Sequence, residues 1–262
     1  MRAQGPTRRY RATVAYDGTR YHGFQVQTNA EPTIQGTLEA ALERVGGGPP
    51  GSRVMGAGRT DAGVHATGQV IAFDLAWRHG PTDLRNALNA NLPTDIAIWE
   101  VAEARPGFHP RYDALSRCYA YDLFEWDRPH PLRERAWQVR GALDVAAIRL
   151  AVRALPGEHD FATFGQPPQG ENSLRNVLRA EWIESDDPIG GRRHHFVIEA
   201  NAFLYRMVRS IVGTLVEVGM CRMTPDEFRG ILIARDRSLA GPSAPPHGLT
   251  LIEVKYADID RR

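Results

Sequence analysis

Apolar residues recur along the chain with two periods, and each change of period marks a predicted element. "RYRATVAYDG" alternates Tyr10, Ala12, Val14 and Tyr16 with other residues, the period of a half-buried strand. "TIQGTLEAALERVGGG" places Ile34, Leu38, Leu42 and Val45 on one helical face, and Gly46 to Gly48 end that helix. "VMGAGRTDAGVH" has no period and reads as a turn-rich loop. The strand "QVIAFDLA", the short helix "TDLRNALNANL" with Leu84, Ala87 and Leu88 inward, and the strand "DIAIWEVAE" follow. After "RPGFHPRYDALSR" the mixture begins again. "RCYAYDLFEW" predicts a strand, and "LDVAAIRLAVRALPG" a helix capped by Asp144 and stopped by Pro-Gly. Residues 158–176 read as loop, with "QPPQG" at the centre. "VLRAEWIES" and "RHHFVIEAN" bracket "DDPIGG" as a hairpin. "NAFLYRMVRSIVGTLVEVG" is the longest helical pattern, with Phe203, Met207, Ile211 and Leu215 on one face. "TPDEF" opens another helix: Thr224 caps, Pro225 takes the first position and Glu227 completes a capping box. "LTLIEVKY" is the final strand.

The pattern predicts an α+β protein of two joined subdomains, residues 1–108 with the glycine-rich loop and residues 109–262, with mostly antiparallel mixed sheet flanked by helices. A chain of 262 residues can bury a substantial core for both. No run of about eighteen apolar residues occurs, so no membrane span is expected. The first residues lack an apolar core, so no secretory leader is expected and the cytoplasm is the default compartment. Cys118 and Cys221 are far apart and outside any C-x-x-C pair, and the histidines form no H-E-x-x-H. Neither a disulfide framework nor a metal site is expected.

Charge adds one detail. The net charge is +1, which argues against a strongly basic nucleic-acid coat, yet Lys255 is the only lysine. Arginine dominance follows from compositional bias or from a need for phosphate forks and base stacking; both readings stand. Arg2, Arg8, Arg9 and Arg11 form an N-terminal arm without an acid. "GAGRTDAG" fails as a dinucleotide fingerprint, because Asp61 stands where glycine is required, and no Walker lysine follows. Asp61 is then either an Asx-turn aspartate or a carboxylate reagent acting on a sugar carbon. Arg206 and Arg209 either snorkel from an apolar helix or pair with a carboxylate. Tyr119 and Tyr121 share one strand face, for packing or for stacking on a base. His65 either orients the loop or touches phosphate.

Together "YDGTRYHGFQVQ", "GAGRTDAGVHATGQV", "NANLP", "FHPRY", "NAFLYRMVRSIVGTLVEVG" and "GPSAPPHGL" resemble the tRNA pseudouridine synthase A family, from about Tyr10 to about Tyr256. The resemblance implies the pseudouridine synthase fold with a catalytic cleft between the subdomains. It implies conversion of uridine to pseudouridine at positions 38, 39 and 40 of the tRNA anticodon stem-loop, by a homodimer without a cofactor. Carried onto this chain, it implies Asp61, Tyr119 and Arg209 as catalytic residues, Arg209 keeping Asp61 ionised and Tyr119 stacking on uracil. Arg59 would fill the vacated stack or hold the extruded nucleotide by its phosphate, with Gly58 and Gly63 admitting the RNA backbone. His65, Arg8, Arg9, Arg11, Arg20, Arg111 and Arg175 are further candidates for substrate contact. The chain departs from the family with "GFQ" at Gly23 to Gln25, and with "NSLRNV", in which Ser-Leu rather than Thr-Pro precedes Arg175. Three rivals use the same residues: a non-catalytic RNA binder, a carboxylate glycosidase acting on nucleosides, and a structural dimer module.

Overall fold

A computed structural model describes residues 6–28, 31–46, 53–167, 170–188 and 190–257. Arg2 of the arm, Gly47 and Gly48 of the helix stop, Pro168 and Gln169 of the "QPPQG" loop, and Ile189 of the hairpin turn lie outside the described residues. The chain forms two compact units, Met1–Leu115 together with Leu251–Arg262, and Ser116–Thr250.

The first unit is built on β1 (Thr7–Tyr16), which pairs antiparallel with both β3 (His65–Ala76) and β4 (Ile96–Glu103). β1 buries Tyr10, Ala12, Val14 and Tyr16, as its alternation predicts. β3 is buried along nearly its whole length, as a strand between two neighbours must be: β1 lies on one side and β10 (Leu249–Tyr256) on the other. That approach needs Gly68, where a Cβ would stand 2.2 Å from the carbonyl oxygen of Ile252. The short β2 (Met55–Gly56) also pairs with β3. α1 (Ile34–Gly46) buries Ile34, Leu38 and Leu42, and α2 (Pro81–Asn89) buries Leu84 and Leu88 while packing on β4. β3 begins at His65, four residues before the predicted strand, because Tyr16 pairs with Ala66 across a register shift.

In the second unit β5 (Ala114–Glu125), β9 (Arg192–Ala200), β8 (Leu174–Asp186) and β7 (Gly157–Asp160) form an antiparallel series in that order. β6 (Trp137–Val139) runs parallel to β5 and makes the sheet mixed. β7 falls inside the stretch expected to be loop. Its sequence "GEHD" is polar and half-exposed, so no apolar period announces it. α3 (Val145–Val152) has the predicted Asp144 cap, and α5 (Pro225–Ala234) has the full capping box of Thr224 and Glu227. α4 (Met207–Gly219) buries ten of its residues and is a core helix. It is shorter than predicted. Residues 201–206 are drawn off by other partners: Asn201 turns the chain by accepting from the Ala202 N–H, and the Tyr205 N–H donates to the Gln166 carbonyl. Arg206, at φ 61°, is a left-handed N-cap outside the helix, not a residue within it. The protein is therefore α+β, as the pattern predicts.

Candidate functional site

The glycine-rich loop is held in the first unit from four directions. The Ala57 N–H donates to the Val70 carbonyl at 2.8 Å, and the Gln69 amide donates to the Gly58 carbonyl at 2.8 Å. Tyr16 and Thr60 hydroxyls are 2.8 Å apart, and Gln69 Nε2 stands 3.4 Å from the Tyr16 oxygen. Either hydroxyl of the Tyr16–Thr60 pair can donate to the other, so the phenol joins Gln69 and Thr60 in one network. Burial pushes the Tyr16 phenol up to about 12, so its proton stays in place near neutrality. The Phe24 N–H donates to the Thr60 carbonyl at 3.0 Å. Next to it Gly23, at φ +89°, admits the loop backbone; a Cβ there would stand 2.8 Å from the Thr60 oxygen. Gly18 is closer still, its Cβ position only 2.0 Å from the Val64 oxygen.

Asp61 sits between Thr60 and this turn. Its carbonyl accepts from the Val64 N–H at 3.1 Å, with Gly63 at φ +76°, and its side chain is half-buried. Arg59 is exposed and Gly58 half-buried. His65 is buried, and its Nδ1 accepts from the Gly18 N–H at 3.0 Å. That contact supports the loop-orienting role, one of the two the sequence leaves open. Among the described residues no group of three or more His, Cys, Asp and Glu side chains could hold a metal ion.

The remaining arginines of this unit differ in their engagement. Arg8 pairs with Glu103, both about half exposed. Arg9 is 13% exposed; it donates to Asp74 at 2.9 Å and twice to the Phe108 carbonyl, at 2.9 and 3.1 Å. An open groove of about 660 Å³ beside them is lined by Asp74 and Glu103 as well, so its charge is balanced. Arg20 pairs with Asp95 at 2.6 Å. Arg111 stands with its guanidinium carbon 5.9 Å from the Tyr112 ring centre.

The second unit carries Tyr119 and Arg209. Tyr119 on β5 is 9% exposed and meets Phe203 edge-on, with ring centres 5.0 Å apart. Tyr121, two residues on, is fully buried; its hydroxyl donates to the Pro245 carbonyl at 2.8 Å, and burial raises its pKa. Arg209 leaves α4 within its first turn. Its Nε donates to the Ala244 carbonyl at 2.7 Å, while its own carbonyl accepts from the Ala244 N–H at 2.9 Å. This zips the "GPSAPPHGL" segment to α4. Gly213 makes room for it, since a Cβ there would be 1.7 Å from the Pro242 carbonyl oxygen. Burial and the Arg209 charge both hold His247, in the same segment, below the usual imidazole range. Arg175 donates to the Asn172 and Leu174 carbonyls, and its burial lowers its pKa. The structure thus gathers Gly58, Arg59, Asp61, Gly63 and His65 in the first unit, and sets Tyr119 and Arg209 on buried elements of the second. Sequence reasoning missed Tyr16, Thr60 and Gln69; only the strand alternation pointing Tyr16 inward gave a signal.

A family model described as tRNA pseudouridine synthase matches residues 12–113 and 151–257. The chain belongs to that family. It is 46% identical over 246 residues to the tRNA pseudouridine synthase A of Chloroflexus aurantiacus, covering 93% of this chain and 87% of that one. It is 40% identical over 253 residues to the protein of the same name from Pseudothermotoga lettingae, covering 95% and 100%. Against the Paracoccus denitrificans protein the identity is 42%, with 95% and 96% covered. The solved archaeal box H/ACA sRNP Nop10-Cbf5 complex contains a similar chain at 14% identity and TM-score 0.37, covering 79% of this chain and 44% of that one. The tRNA pseudouridine synthase family is one of isomerases acting on tRNA. No helix among the described residues is long and apolar enough to cross a membrane.

Proposed function

We propose that this protein isomerises uridine to pseudouridine in the tRNA anticodon stem-loop, and that Asp61 is the residue that starts the reaction. The observation that carries the assignment is the clamp on its loop. Tyr16, Gln69, Gly18 and Gly23 fix the backbone on both sides of one half-buried carboxylate. A solvated Asx-turn aspartate needs no such support.

The reaction breaks the N1–C1′ bond and forms a C5–C1′ bond; C5 loses its proton and N1 gains one, so atoms and electrons balance without a redox cofactor. A base within a stem is first extruded. Asp61 then attacks C1′ or stabilises its developing positive charge as uracil departs. Tyr119 stacks on the uracil and assists loss of the C5 proton. Arg209 supplies a cation to the reaction. Arg59 holds the extruded nucleotide, and Gly58 lets its backbone approach. Arg8, Arg9 and Arg111 serve the RNA more distantly, Arg8 and Arg9 after exchanging Glu103 and Asp74 for phosphate, and His65 serves it only through the loop it holds. The protein works as a homodimer in the cytoplasm.

Tritium release from C5-labelled uridine in an unmodified tRNA transcript tests the assignment. Wild-type protein is expected to release the label and liberate no free uracil. Asp61→Asn is expected to bind the transcript with wild-type affinity and release none. Substantial release by Asp61→Asn would remove Asp61 from the chemistry. Free uracil would indicate a glycosidase, and no release by wild type a binder. Light scattering on the purified chain checks the dimer.

A further inference from the structure

The turn between β4 and β5 presents a ring that the reaction does not use. Tyr112 is 76% exposed. A single exposed aromatic needs no explanation; the support beneath this one does. Its ring centre lies 4.3 Å from that of His109. His109 Nδ1 accepts from the N–H groups of Arg111 at 3.2 Å and Tyr112 at 3.4 Å, which fixes the imidazole beneath the turn. The Asp113 carboxylate accepts from the His109 N–H at 2.9 Å and from Arg105 at 2.7 Å. Below, the fully buried Phe108 packs on Tyr256, whose hydroxyl donates to the Pro110 carbonyl at 2.7 Å. Arg9 holds the Phe108 carbonyl through two nitrogens. The backbone of 105–113 is therefore pinned from two strands, by Arg9 of β1 and Tyr256 of β10, and by its own Asp113, and the ring it carries loses little freedom on meeting a flat partner.

We propose that this turn is a stacking platform for an unpaired base of the tRNA substrate, with Tyr112 as the stacking ring and Arg111 serving the adjoining phosphate. The proposal rests on the functional reading above and adds a contact remote in sequence from Asp61. Of the turn's other side chains, Arg105, His109 and Arg111 are polar or cationic, and its one acid, Asp113, is paired with Arg105 at 2.7 Å. That matches a base and its phosphate better than the apolar centre of a protein interface. Stacking is sequence-tolerant, because every base has a π-face.

Equilibrium binding of the full-length protein to an unmodified tRNA transcript tests the proposal. Wild type is measured first, with C5 tritium release; if it neither binds nor turns over, the functional reading fails, not the platform. With active wild type, Tyr112→Ala and Tyr112→Leu are expected to weaken binding by about fivefold to a hundredfold. Tyr112→Phe and Tyr112→Trp are expected to stay within about twofold, since they keep a ring. The salt dependence of Tyr112→Ala should equal that of wild type, because the ring neutralises no phosphate. The penalty should vanish on a fully paired RNA duplex, whose bases are not available to stack. Wild-type affinity in Tyr112→Ala, full affinity in Tyr112→Leu, or equal loss in Tyr112→Phe would each overturn the proposal. Reduced self-association with unchanged tRNA binding would overturn it too, and give the ring to a protein interface.

Discussion

Tyr16 carries two jobs through one oxygen. Its ring fills the first unit's core, and its hydroxyl joins Gln69 to Thr60 immediately before Asp61. Tyr16→Phe keeps the ring and deletes the link, leaving the buried Thr60 hydroxyl without this partner. A buried polar group stranded in this way costs about 1–3 kcal/mol. The same loss frees the loop beside the carboxylate. Urea unfolding is expected to show a stability loss of about that size. Steady-state kinetics should show kcat falling more than KM rises, because the loop's placement matters most where charge develops on the sugar. A purely structural tyrosine would lower stability and leave kcat of the folded enzyme unchanged. The sequence leaves both readings of Asp61 open, because the residues around its loop are scattered along the chain. The motif shows the carboxylate and its glycines, while the clamp comes from strands forty-five residues upstream and eight downstream, whose side chains meet it only in the fold.

At the scale of elements, the strands with a buried face were legible. β1 shows its alternation openly, and α5 shows both halves of its capping box. Elements defined by pairing were not. β7 has no apolar period because it borders β8 alone, and the start of α4 was misplaced because the Gln166–Tyr205 bridge competes with helix for the same backbone groups. The histidines His194 and His195 do fall on opposite faces, as adjacent strand residues must. His194 is fully buried, with Trp182 donating to its Nδ1 and Glu125 facing its Nε2 at 3.0 Å. His195 lies on the open face, 2.7 Å from the Asp122 carboxylate of β5, its cross-strand neighbour. That hydrogen bond, opposed in part by burial, raises the His195 pKa above its ordinary 6.5. A raised folded-state pKa means the folded state binds the proton more tightly. The pair's stabilisation is therefore complete below about pH 6.5 and lost as pH rises through the folded value. Asp122→Asn is expected to return the His195 imidazole toward 6.5 in an NMR titration, and to flatten this part of the stability–pH curve. With the side chains 41% and 48% exposed, the effect on stability is small; an unshifted titration would remove the pairing.

For the whole molecule, a net charge of +1 leaves RNA affinity to local arrangement, since no global field draws a polyanion in. The arginines are not equivalent in this respect. Arg9, 13% exposed, already has Asp74 and the Phe108 carbonyl as acceptors, and its loss should register first as reduced stability of the first unit. Arg59 is exposed in the loop that carries Asp61, and Arg111 stands beside an exposed ring. Under the proposed function these two are the candidates for phosphate contact. This distinction was hidden in the sequence, where Arg8, Arg9, Arg59 and Arg111 differ only in position; pairing with Glu103 and Asp74 depends on which strands β1 lies between. If phosphate neutralisation dominates, log Kd for tRNA rises linearly with log salt, and each arginine–phosphate pair removed lowers the slope by about 0.7–0.9. Arg59→Gln and Arg111→Gln are each expected to reduce the slope by about that amount and the double variant by about twice as much. Arg9→Gln is expected to lower the unfolding midpoint. A wild-type slope near zero would mean that stacking and shape, not charge, hold the RNA, and would leave Arg59 and Arg111 without a phosphate role.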